Sequence, residues 1–325
     1  MTGTSSPPAG DEVVECVPNV SEGRRTDVLE KIVEAVRAVE GVRMLDLHRD
    51  GDHNRAVLTY VVPVAQALQA GFAVAKAAVE EIDLRDHEGA HPRLGALDVF
   101  PFVPLGATPM ARCVDLAHAL GARIAAELDV PVYYYAEAAL RDDRRRLEKV
   151  RGKGFEHLRA AVADDPLLRP DAGPARLHPS AGAAIVGARP FLIAYNVYLS
   201  TDDVDVARRI ARHVRASSGG LRGVKALGLA LSGRPSEKGK ITGRQRVQVS
   251  MNITDVHGGA LVAALDLIRA EAARQGVGVV RSELVGLLPL EAVLGAAAAF
   301  LQLDGLTPDR IVDLHASATA PRSPG

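Results

Sequence analysis

The sequence predicts an α+β protein of two α/β-sandwich lobes, each a mostly antiparallel sheet with helices on one face. Two observations carry that expectation. Stretches of period-2 and of helical periodicity recur in the same order in both halves of the chain. The 325 residues, 47% apolar and 24% charged, are also enough for two cores, because single cores stop growing near about 250–300 residues. The shared order, strand–helix–strand–strand–helix–strand, suits the split β-α-β plan.

In the first half a strand pattern runs from Val13 to Val17, and an amphipathic helix follows from Asp27 to Val39. Strands are expected at Val42 to Leu47 and Ala56 to Val62, split by the turn-rich Arg49-Asp50-Gly51-Asp52-His53-Asn54. An Ala/Val helix covers Ala65 to Ile82, and a strand spans Leu97 to Val103. A helix near Ala111 to Leu128 and a strand at Val132 to Tyr135 are appended. The second half opens with a strand at Phe191 to Leu199 and a helix at Val204 to Val214, with Ser200, Thr201 and Asp202 as capping candidates. Strands at Val224 to Leu231 and Val247 to Ile253 flank the Gly/Ser/Lys-rich loop Ser232 to Gly243. A helix at Gly259 to Gln275, a strand at Gly278 to Val285 and a helix at Leu290 to Leu301 close the repeat.

Five segments result: a disordered start at 1–11, a first lobe at 12–140, a linker at 141–187, a second lobe at 188–305 and a tail at 306–325. The linker begins with the charge run Arg141 to Arg146 and turns Pro/Gly-rich between Pro166 and Gly182. Connections are usually about four to six residues, so a linker this long is expected to have a job of its own.

A formal net charge of −1 gives no bulk attraction to nucleic acid or an anionic membrane, so neither is an expected partner. Cys16 and Cys113 are too few for a disulfide framework or a four-sulfur metal site. Met1 to Asp11 lacks the basic start and apolar run of a signal peptide. The expected location is the cytoplasm, with reduced thiols.

On the strand Val247 to Ile253, Gln248, Ser250 and Asn252 alternate with apolar residues, and the plan puts Asn196 on the same surface. Two readings stay open: a solvated face, or a wall that hydrogen-bonds a polar ligand or the other lobe.

The most chemically loaded stretch is Asp86-His87-Glu88-Gly89-Ala90-His91-Pro92-Arg93-Leu94-Gly95. Its His-Glu-x-x-His would bind zinc only on a helix through both histidines. Gly89 lies inside it, and Pro92 pushes His91 out of the α region, so no metal is expected. What remains is a loop histidine whose ordinary pKa of about 6.5 suits proton transfer. From the residues alone it is either a catalytic group or an exposed structural one. Ser236 to Ile241 fails as a phosphate loop, since Arg234 holds the glycine position and Ile241 that of Ser/Thr.

Several stretches in order resemble one family: Val14-Glu15-Cys16-Val17-Pro18-Asn19-Val20-Ser21-Glu22-Gly23, Asn54-Arg55, His91 to Val99, Val130 to Tyr133, Gly187 to Leu192 and Glu283 to Pro289. Together they resemble glutamate formimidoyltransferase, also found as the N-terminal part of formimidoyltransferase-cyclodeaminases. The resemblance implies transfer of a formimidoyl group from N-formimidoyl-L-glutamate to tetrahydrofolate, the co-substrate, within histidine degradation. It implies His91 as the catalytic acid/base and a homodimer. It also gives the linker a purpose as a folate-binding loop, made by Gly173, Pro174, Ala175, Arg176, Leu177, His178, Pro179, Ser180, Ala181 and Gly182. Asp46, Asn54, Arg55 and Arg93 are substrate-binding candidates, the two arginines because guanidinium groups bind carboxylates. The chain departs from the family pattern at His48, Ala90 and Ala181, which leaves Asp46 and His87 as candidates to tune His91. The cyclodeaminase domain is expected to be absent. Two alternatives remain: a folate-binding module without catalysis, and formyl transfer from N-formylglutamate.

Overall fold

The computed structural model describes residues 12–51, 53–89, 93–152, 154–231, 246–256 and 259–314. The chain divides into two compact units, Met1–Pro190 and Phe191–Gly325. The first contains β1 (Val13–Cys16), β2 (Asn19–Val20), α1 (Thr26–Arg37), β3 (Arg43–Asp50), β4 (Arg55–Pro63), α2 (Val64–Glu81) and β5 (Leu97–Leu105). It continues with α3 (Met110–Leu128), β6 (Val132–Ala136), α4 (Leu147–Arg151), α5 (Phe155–Ala161) and β7 (Ala184–Ala188).

Strands β1 and β2 lie in line between β4 and β5, and both pair antiparallel with both neighbours. Pro18 separates them because it has no N–H to give the ladder; its carbonyl accepts from Leu58 instead. With β3 on the outer edge of β4, the sheet is antiparallel as far as β5. Beyond β5 it turns parallel, with β7 inserted between β5 and β6. The sequence pattern predicts no strand at β7. Its five residues, Ala-Ile-Val-Gly-Ala, are all buried and show no alternation, as suits a strand covered on both faces.

Helices α1, α2 and α3 cover one face, where Leu29, Ile32, Val74, Leu120 and Ile124 pack with Leu58, Tyr60, Phe100 and Phe102. Leu158 of α5 and the following Val162 pack on the other face against Val99, Tyr133, Tyr135 and Ile185. Helices therefore cover this sheet on both faces at its β5–β7–β6 end, a departure from the one-face expectation. The segment expected as linker supplies that second layer. The rest of this face carries Glu15, Arg55, Thr59 and their neighbours.

The second unit contains β8 (Ile193–Leu199), α6 (Val204–Val214), β9 (Val224–Leu231), β10 (Arg246–Ile253), α7 (Ala260–Arg274), β11 (Val279–Val285) and α8 (Leu290–Leu301). Its sheet has the order β11-β8-β10-β9 and is antiparallel throughout. This is the order of the β3-β4-β1-β5 portion of the first unit, so the two halves repeat one plan. The α6 cap is Asp203, which accepts the Asp205 N–H at 2.8 Å, and not one of the three residues before it. Val197, Val249, Ile210 and Ile268 form the core. On the opposite face Asn196 pairs across from Ser250, and Glu283 accepts from Asn196 Nδ2 at 3.3 Å and Tyr198 OH at 2.7 Å. Gln248 on that face is only 3% exposed. The loop Ser232 to Gly243 lies outside the described residues. No helix among the described residues is long and apolar enough to cross a membrane.

Candidate functional site

Four segments of the first unit converge on the loop between α2 and β5. The hub is Asn54, 7% exposed, at the end of the turn after β3. Its φ of +47 lies in the left-handed region, which asparagine tolerates better than most residues. Asn54 Oδ1 accepts the Gly23 N–H at 3.0 Å, and Nδ2 donates to the Glu88 carbonyl at 3.0 Å. A Cβ on Gly89 would stand 2.4 Å from the His53 carbonyl oxygen, so only glycine lets the loop lie this close.

His87 faces the same hub. Its Nε2 lies 3.0 Å from the Asn54 carbonyl oxygen; an oxygen there needs a donor, so Nε2 carries the proton in the neutral ring. Nδ1 is then a buried lone pair with no hydrogen-bond partner. Burial, reinforced by the Arg93 charge, holds the His87 pKa below its ordinary value against the opposing bond to Asn54. Residues 82–89 carry no helix, so the zinc-type spacing lacks the geometry it requires. Among the described residues, no group of three His, Cys, Asp or Glu side chains is arranged to hold a metal ion.

His91 lies outside the described residues, with Ala90 and Pro92. The described chain resumes at Arg93. Arg93 Nη2 donates to the His87 carbonyl at 3.0 Å and to Glu156 Oε1 at 3.3 Å. The Leu94 N–H donates to Asp98 Oδ1 at 2.8 Å. Asp98 is 1% exposed, and its Oδ2 accepts from Arg151 at 2.5 Å.

The end of the expected folate loop forms the adjoining wall. His178 and Gly182 exchange backbone bonds of 2.9 and 3.0 Å, closing a tight turn. Gly182 has φ +70, and a Cβ there would meet the Leu94 carbonyl oxygen at 2.3 Å. Across the turn, Leu84 N–H donates to Ser180 O at 2.8 Å, Ala96 N–H to Ala181 O at 2.8 Å, and Ala183 N–H to Leu94 O at 2.9 Å. His178 Nδ1 accepts the Ala181 N–H at 3.0 Å, which leaves its proton on Nε2. Burial, helped by Arg176 and opposed by Asp129, lowers the His178 pKa.

Of the residues expected at the site, the structure therefore brings together Asn54, His87, Arg93 and the turn from His178 through Pro179, Ser180 and Ala181 to Gly182. Arg55 begins β4 beside Asn54 and belongs to this cluster. Its pKa is pulled down to about 10, first by burial and then by the Arg151 charge, with Asp98 and Asp50 opposing. The first part of the loop goes elsewhere. Gly173, φ +86, packs under Ala125 and Pro131 near the end of α3, Pro174 and Ala175 follow it, and Arg176 pairs with Asp129 at 2.5 Å, both half-exposed. Leu177 joins the core. Asp46 shares the Arg55 face but pairs with Thr59, four residues and ~13 Å along β4 from Arg55. Asp98 and Arg151 were not expected at the site. An acidic residue in the apolar run from Leu97 to Val103 was a readable signal for Asp98; Arg151, at the end of a short helix, gave none.

The lowered His178 pKa has a definite sign in stability. The folded protein resists protonation, so this contribution is complete above the unfolded value of about 6.5 and is lost as pH falls through the folded pKa. The urea midpoint is expected to drop between pH 7 and 5, and less steeply in His178→Gln. Equal slopes in the two proteins would remove His178 from the account.

Residues 13–189 match the family model described as the formiminotransferase domain, N-terminal subdomain, and residues 194–310 match the formiminotransferase domain. The chain is 45% identical over 303 residues to a protein of Thermoplasma acidophilum named glutamate formimidoyltransferase, covering 93% of this chain and 96% of that one. It is 38% identical over 293 residues to one of the same name from Streptococcus pyogenes serotype M1, covering 90% and 94%. Against the formimidoyltransferase-cyclodeaminase of Rattus norvegicus it is 38% identical over 301 residues, covering 91% of this chain and 53% of the relative.

Proposed function

This chain belongs to the formiminotransferase family, a family of one-carbon group transferases, and from that premise we propose that it moves the formimidoyl group of N-formimidoyl-L-glutamate to N5 of tetrahydrofolate. The products are 5-formimidoyltetrahydrofolate and L-glutamate. The observation that carries this reading is the 45% identity over 93% of the chain to a relative of that name. The same reading puts the enzyme in histidine degradation and one-carbon metabolism, as a cytoplasmic homodimer.

The formimidoyl carbon is amidine-like and electrophilic when protonated. N5 of tetrahydrofolate attacks it, a tetrahedral intermediate forms, and the C–N bond to glutamate breaks. N5 must lose a proton and the departing amine must gain one. A group with pKa near the working pH does both, and we assign this to His91. Asn54 holds the Glu88 carbonyl and Arg93 the His87 carbonyl on the approach to His91; orientation of a reacting group is worth several kcal/mol of barrier. Arg55 and Arg93 supply positive charge for the carboxylates of the donor, and the turn from His178 to Gly182 supports the pterin side.

The test is an absorbance assay in which acid converts 5-formimidoyltetrahydrofolate to methenyltetrahydrofolate. With purified enzyme and tetrahydrofolate, N-formimidoyl-L-glutamate is expected to give the signal and N-formyl-L-glutamate is not. Turnover with the formyl donor alone would reassign the substrate, and turnover with neither would leave a folate-binding module.

A further inference from the structure

We propose that Arg151 and Arg93 together form a subsite for a glutamyl carboxylate, with Asp98 as the residue that positions Arg151. The proposal rests on the formimidoyl-transfer reading and adds to it a binding residue from outside the short motifs named in the sequence analysis.

Arg151 is the last residue of α4, and its guanidinium meets the Asp98 carboxylate within the protein, the side chains being 16% and 2% exposed. Asp98 does not take Arg151 as a two-pronged pair. One of its oxygens accepts the Leu94 N–H and only the other accepts from Arg151, through Nη2. Arg151 Nε is left buried with no acceptor. Arg93 repeats the pattern: its Nη2 is shared between the His87 carbonyl and Glu156, and its Nε is buried with no acceptor. Folded proteins leave few buried donors unpaired, and charged ones are the most costly to leave so.

The two arginines belong to one place. The Asp98 carboxylate ties the backbone beside Arg93 to the Arg151 side chain. The Phe155 N–H donates to the Arg93 carbonyl at 3.0 Å, and the Gly154 N–H donates to the Arg151 carbonyl at 2.9 Å. Arg55 stands close enough for the Arg151 charge to depress its pKa. The Arg151 guanidinium is held by the buried Asp98 carboxylate, Arg55 feels the charges of both, and Arg93 directly precedes the Leu94 N–H that the same carboxylate accepts. Two cations with an open Nε–H each therefore flank one held carboxylate, an environment that an incoming anion relieves. A carboxylate fits best: it is planar, it accepts at two oxygens, and each oxygen can take an N–H from a guanidinium edge. Both substrates offer one, the donor in its glutamate part and the folate in its glutamyl tail.

Arg151→Lys separates these cases. Lysine keeps the positive charge that Asp98 needs and removes the Nε–H. The KM of one substrate is expected to rise at least tenfold, by more than kcat falls. A rise for N-formimidoyl-L-glutamate places the donor carboxylate here. A rise for tetrahydrofolate that disappears with tetrahydropteroate, which has no glutamyl group, places the tail here. Unchanged KM for both overturns the proposal. Should Arg151→Lys fail to fold, Arg93→Lys is read by the same criteria. If the wild type does not turn over at all, formimidoyl transfer fails, and the subsite is then read by calorimetric titration with L-glutamate. Binding by the wild type that is lost in Arg151→Lys supports the subsite; no binding, or equal binding, overturns it.

Discussion

His91→Ala is expected to lower kcat by about 100- to 10,000-fold, the range that a positioned general acid–base group contributes, while the KM for tetrahydrofolate changes little. The reaction moves two protons, off N5 and onto the leaving nitrogen, and at neutral pH an imidazole serves both because its ordinary pKa lies close by. On one side Asn54 grips the Glu88 carbonyl, and on the other Asp98 grips the Leu94 N–H. With His91 as the acid–base group between those two held points, its removal forfeits an oriented proton transfer, which is the condition for a large loss. The measurement is the initial rate of 5-formimidoyltetrahydrofolate formation, with the melting temperature as control for folding. Added imidazole should restore part of the lost rate. A variant that turns over at the wild-type rate ends the assignment.

The repeated plan is legible because both copies advertise it locally, in alternating strands such as β1 and β9 and in helices with an apolar stripe such as α1 and α6. The rest is not local. Strand β7 reads as a featureless apolar run, since a strand buried on both faces has no period to detect. The folate loop reads as one unit, yet its two ends answer to different partners, Asp129 for Arg176 and the Leu84–Ala96 backbone for the turn ending at Gly182. The site divides in the same way. Asn54, Arg55 and Arg93 sit in short stretches that carry the family resemblance. Arg151 lies 53 residues from the carboxylate that holds it, and spacing of that kind is set by the fold and by nothing in the neighbouring sequence.

Asn54→Ala is expected to damage both stability and rate, by about 3 kcal/mol and at least tenfold in kcat. The stability loss has two sources. Two side-chain hydrogen bonds disappear, to Gly23 and from Nδ2 to Glu88, each worth about 1 kcal/mol net and more where the partner stays buried. Alanine must also hold a φ of +47, a left-handed conformation that costs it about 1–2 kcal/mol. Asn54→Gly separates the two, because glycine removes the bonds and not the conformational freedom. It should recover about 1 kcal/mol of the loss in a urea titration and none of the lost rate. That asymmetry follows from what the side chain does: its amide holds Glu88, three residues before His91, and a shift of about 1 Å at a reacting group is enough to cost 100-fold. If Asn54→Gly were as active as the wild type, the grip on Glu88 would be irrelevant to catalysis, and Asn54 would be a residue of the turn alone.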